Sequence, residues 1–111
     1  MTIRYKSDTF DLTTTNVTTI LTCPSDATII VKSLQASHQD ASNVDVDAFL
    51  QKSGGSDVEI SHVQLNKSFT NLVSSSLNME ASDILKLQAD TADEITGCVS
   101  YALIDRSQEN G

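Results

Sequence analysis

The chain has 111 residues with 15 acidic against 7 basic side chains, a formal charge of −8, and its Lys and Arg are scattered singly, so nucleic acid is not an expected partner. No run approaches the ~18 consecutive apolar residues of a bilayer-spanning helix, so no membrane is expected either; the opening MTIRYKSDTFDL lacks an apolar h-region, which points to synthesis in the cytoplasm. This length carries one core, so a single domain over residues 1–111 is the expectation, with Cys23 and Cys98 as free thiols rather than a disulfide framework.

Thr, Ser, Val and Ile dominate beside one Pro and four Gly, a composition that favours pleated strands over helices. The first strands are predicted at 2–6 and 8–12. Thr2, Ile3, Arg4 and Tyr5 form a candidate partner-binding segment, because an extended N-terminal arm can add a strand to a neighbour's exposed edge. Pairing within its own sheet is the equal alternative. A strand at 16–23 ends at the Pro24-Ser25-Asp26 turn, and a core strand at 27–37 follows with Ile29, Ile30, Val31 and Leu34.

In the predicted strand 44–52, Val44, Val46, Ala48 and Leu50 alternate with Asp45, Asp47, Phe49 and Gln51, which places aliphatics on one face and carboxylates on the other. Phe49 falls on the polar face. It is the second candidate for partner binding, either as a stacking platform for a sugar or as a contact with a second sheet or a neighbouring subunit. Gly54-Gly55 reads as a hairpin turn before strands at 58–65 and 68–72. From Ser74 to Ala89 a helix competes, but Leu77 with Met79, and Leu85 with Leu87 and Ala89, are spaced by two and predict strands at 76–80 and 83–89. A last strand at 95–105 has two mildly polar faces and reads as central. Turns at these short intervals predict an all-β fold, a single antiparallel β-sandwich or jelly roll.

Chemistry is sparse. His38 and His62 have no nucleophile elbow or other local signature beside them, so no catalytic residue is assigned and the chain does not read as an enzyme. Asp40, Asn43, Asp45 and Asp47 gather oxygen ligands but lack the EF-hand spacing, and the cysteines and histidines lack zinc spacing. No metal and no cofactor are expected.

Two blocks carry a resemblance. Residues 11–37, DLTTTNVTTILTCPSDATIIVKSLQAS, combine an Asp-Leu-Thr-Thr opening, a Thr18-Thr19-Ile20 strand, the Pro24 turn and an Ile30-Val31-Lys32-Ser33-Leu34 strand. Residues 74–104, SSSLNMEASDILKLQADTADEITGCVSYALI, place Leu77 six residues before Asp83, follow it with Leu85-Lys86-Leu87, and close on a strand containing Val99-Ser100-Tyr101. Together, over about half the chain, they resemble a group of small proteins encoded among the structural genes of tailed bacteriophages. That group often has Gly before the residue matching Asp83, where this chain has Ser82, and an apolar-Pro-Ala turn where it has Leu65-Asn66-Lys67-Ser68.

The resemblance implies a β-sandwich virion protein, foremost a decoration or cement protein that binds and stabilises the major capsid shell, and alternatively a neck, tail or fibre component. The implied partners are the major capsid protein or other virion proteins, with further copies of the chain in a homo-oligomer, and the implied location is the virion. No catalytic, cofactor or metal residue is carried over. Acidic charge suits a protein that stays dispersed until a lattice presents its site and then stabilises that lattice by mass action. The residues alone also admit a small carbohydrate-binding module built on Phe49.

Overall fold

Period-two alternation sets the local structure. The computed structural model describes residues 2–73 and 75–106, and there it has nine strands and no helix. They are β1 (Thr2–Leu12), β2 (Thr18–Thr22), β3 (Ala27–His38), β4 (Val44–Gln51), β5 (Asp57–Leu65), β6 (Ser68–Asn71), β7 (Leu77–Met79), β8 (Ile84–Ala89) and β9 (Ile95–Asp105). Met1, Ser74 and residues 107–111 of the predicted domain lie outside the described residues.

The first sheet has the order β1-β9-β3-β6, with β7 also on β3, and the second has the order β2-β8-β4-β5. Every pairing among the described residues is antiparallel: β1 with β9, β2 with β8, β3 with β6, β7 and β9, β4 with β5, and β4 with β8. The β1·β9, β2·β8, β3·β6/β7 and β4·β5 pairs are those of one long antiparallel hairpin rolled into two sheets, which is the jelly roll. β6 and β7 act as one interrupted strand. Across the break, the Asn71 carboxamide oxygen accepts from the backbone N–H of Leu34 (2.9 Å) and of Val73 (3.2 Å), standing in for ladder bonds.

The predicted strands at 2–6 and 8–12 are one continuous strand. The break expected at Ser7 is absent because β9 offers an unbroken template and pairs Ser7 with Ser100 and Asp8 with Val99. The predicted strand 16–23 shortens to β2, and 74–89 forms β7 and β8 with no helix among its described residues.

Alternation then selects the core. Val44, Val46 and Ala48 from β4, Leu85, Leu87 and Ala89 from β8, Ile29, Val31 and Leu34 from β3, and Ile95, Val99 and Tyr101 from β9 meet between the sheets. Each buried Val, Leu or Ile side chain contributes roughly 1.5–3 kcal/mol by leaving water. β3 and β9 form the middle of the first sheet, and the central place of β9 agrees with its two mildly polar faces.

Candidate functional site

β1 is the outer strand of the first sheet, and no described strand pairs with its far side. Thr2, Ile3, Arg4 and Tyr5 pair with Asp105, Ile104, Leu103 and Ala102 of their own chain, so of the two placements left open by the sequence the internal one is found. Every residue from Thr2 to Thr9 is exposed. Even-numbered residues share the face of the buried Leu12, yet Arg4, Lys6 and Asp8 remain wet. Tyr101 fixes Asp8, its hydroxyl donating to the carboxylate at 3.1 Å. Burial, then that carboxylate, raises the tyrosine's pKa.

The odd-numbered residues of β1 face outward. Cross-strand partners share a face, so register assembles a row from three strands: Ile3 beside Ile104 and Thr28, and Tyr5 beside Ala102 and Ile30. Tyr5 is 81% exposed and Ile3 50%. Large apolar side chains so exposed at neighbouring positions mark a contact surface more often than single ones do. Ile3 and Tyr5 are the sequence candidates here; Ile30 and Ile104 are not visible as such, because their place depends on long-range register.

Phe49 lies on the outward face of the second sheet, half-buried, between Glu59 of β5 and Lys86 of β8. Its surroundings are polar. Lys86 pairs with Asp57 at 2.9 Å, and Gln64 donates to Asp45 at 3.1 Å. His62 Nδ1 bonds the Asp47 carboxylate, which, as hydrogen-bond partner and then as charge, raises the imidazole pKa above its ordinary 6.5. The same carboxylate bonds Glu59 and raises the Glu59 pKa above 4.5.

Asp47, Glu59 and His62 offer one ligand atom each, all within 4.8 Å of one another, an imidazole-plus-two-carboxylate set of the kind divalent transition ions take. Sequence spacing hides this trio. Residues 59 and 62 alternate to opposite faces of a regular strand, but the register shift at Ala48/Phe49 turns Glu59 onto the face of His62. The oxygen-rich run Asp40, Asn43, Asp45 and Asp47 disperses instead, with Asn43 accepting from Asn66 and Asp45 from Gln64.

His38 is buried at the end of β3 and hydrogen-bonded there. Its Nδ1 lies 3.2 Å from the Glu94 carbonyl oxygen and its Nε2 3.0 Å from Ser42 Oγ. The Glu94 carboxylate is farther, at 3.6 Å. The order Ser42, His38, Glu94 imitates a hydrolase relay, but Nε2 also faces the Ser42 carbonyl oxygen at 2.9 Å and Nδ1 is closer to a carbonyl than to the acid. The contacts tie the 39–43 loop and the β9 approach to the end of β3. Cys23 and Cys98 are free, Cys23 within the core and raised in pKa by burial.

The class defined by this architecture is the all-β jelly roll. No protein-family model matches the chain, and no curated protein matches its sequence. Among solved structures it is similar to a chain in the acidic stable capsid structure of Helicobacter pylori bacteriophage KHP30, at a TM-score of 0.60 and 12% identity over 96% of this chain and 90% of that one. It is also similar to a chain of the Bacillus endospore appendages described as disulfide-linked pili, at a TM-score of 0.53 and 14% identity over 95% and 88% of the two chains. At such identities the shared property is the fold.

Proposed function

We propose that this chain is a virion structural protein that decorates a phage capsid, docking on the major shell protein through the outward face of its first sheet. The observation that carries this reading is the row Ile3, Tyr5, Ile30 and Ile104, an apolar strip at one end of the outward face of the first sheet. A jelly roll also occurs in the phage capsid named above, and the resemblance of residues 11–37 and 74–104 to small phage structural proteins points the same way. A tyrosine that enters an interface is a typical energetic anchor, costing about 2 kcal/mol or more when truncated.

The test is rebinding. Purified chain added to shells depleted of it co-sediments to a fixed ratio, and Tyr5→Ala weakens binding by about 30-fold. Undiminished binding by the Ile3→Asp/Tyr5→Asp variant would remove the row from the interface.

A second reading rests on Phe49. An aromatic ring flanked by Asp47, Glu59, Gln88 and Lys86 offers stacking with hydrogen-bonding groups around it, as a glycan platform requires. Glycan binding abolished by Phe49→Ala with shell binding intact would favour a carbohydrate-binding module. As a third reading, a neck, tail or fibre position uses the same edges at far lower copy number.

A further inference from the structure

We propose that the free edge of β1 pairs with the same edge of a second copy, antiparallel and centred on Ser7, to form a two-fold dimer. This goes beyond the capsid reading and does not depend on it. β1 is an eleven-residue edge strand without Pro or Gly, exposed from Thr2 to Thr9. An edge of that length presents a row of backbone donors and acceptors that another strand can satisfy. Among the described residues Arg4, Lys6 and Asp11 take part in no ion pair, and Asp8 is held by the Tyr101 hydroxyl.

Charge along the strand selects the register. A two-fold axis normal to the sheet keeps each face continuous, so it pairs residues of like parity. The axis therefore falls on a residue, and four central positions are worth comparing. Centring on Tyr5 sets Arg4 against Lys6 twice. An axis at Lys6 opposes Lys6 to itself, and one at Asp8 opposes Asp8 to itself. Like charges directly opposite destabilise a strand pair.

Centring on Ser7 gives no like-charge pair. Lys6 then lies opposite Asp8 of the other copy, twice by symmetry, Arg4 opposite the Phe10 ring, Tyr5 opposite Thr9, and Ile3 opposite Asp11. This register also matches Thr2 with Leu12, so all eleven residues pair without overhang. The Tyr101 hydroxyl that holds Asp8 on this face positions the carboxylate for the incoming Lys6. The charges that disfavour the other three central registers thus become complementary in this one.

The experiment uses the whole chain in solution. Light scattering coupled to size exclusion should give a concentration-dependent rise towards twice the 12.0 kDa chain mass. Lys6→Asp and Asp8→Lys, both at exposed positions, should each weaken self-association by about ten-fold or more. Mixing the two singles, or combining them in one chain, should restore it, because each Asp again meets a Lys. Ser7→Cys should form an intermolecular disulfide under mild oxidation, and Tyr5→Cys should not. A monomer throughout, equal dimers from both single variants, or cross-linking by Tyr5→Cys in place of Ser7→Cys would overturn the proposal. Circular dichroism of each variant separates a lost interface from a lost fold.

Discussion

Ser82 has a φ of 68°, in the left-handed region that costs an L residue roughly 1–2 kcal/mol. It is the third residue of the turn closed by Asp83 N–H to Glu80 C=O at 3.1 Å, where a type II turn favours Gly. Ser82→Gly should therefore stabilise the fold by up to about 1 kcal/mol after the added unfolded-state entropy is subtracted, read as a higher urea midpoint at unchanged slope.

Its neighbour Asp83 is buried. Burial alone would raise its pKa, but the Lys52 ammonium and the N–H groups of Glu80 (2.9 Å) and Ser53 (3.3 Å) outweigh that and hold it below 3.8. A folded-state pKa below the unfolded one gives stability that is present above pH 3.8 and lost as pH falls through the folded value. Asp83→Ala should cost about 1–3 kcal/mol by leaving those donors unpaired, and should flatten the acid limb of stability against pH. His62 has the opposite sign: its contribution is present below pH 6.5 and lost as pH rises through the elevated folded value. In an NMR titration Asp47→Asn should return His62 towards 6.5. The burial of Asp83 and His38 was not legible in the sequence, since strand alternation does not assign polar end residues to the core.

At the scale of elements, β4 is the most transparent strand, because Val44, Val46, Ala48 and Leu50 against Asp45, Asp47, Phe49 and Gln51 fix both period and face. What single-strand patterns cannot hold is register between strands. The outward row needs β1, β9 and β3 in alignment, and the Asp47, Glu59 and His62 trio needs the bulge between β4 and β5. Gly97 shows how tight that alignment is. A Cβ there would lie 1.9 Å from the Gln35 carbonyl oxygen and 2.4 Å from Phe10 Cζ, so Phe10 packs in the space that the missing side chain leaves. Gly97→Ala should force β9 from its neighbours and destabilise by about 1–3 kcal/mol, measured by thermal unfolding.

For the whole molecule, strand count and turn spacing were enough to place the chain among sandwiches and jelly rolls, and the pairing of β1 with β9 and β2 with β8 makes it a jelly roll. Function was less legible, since a fold of this kind is a frame on which many surfaces can be built. The elongated body, 53 × 27 × 22 Å, gives β1 a long edge and leaves the Ile3/Tyr5 row at one end. The most direct measurement is quantitative mass spectrometry of purified virions, counting this chain against the most abundant shell protein. A ratio near one to one, or a simple fraction of it, is the result expected of a decoration protein. A few dozen copies or fewer would place it in the neck, tail or fibre, and its absence from the particle would contradict a virion role.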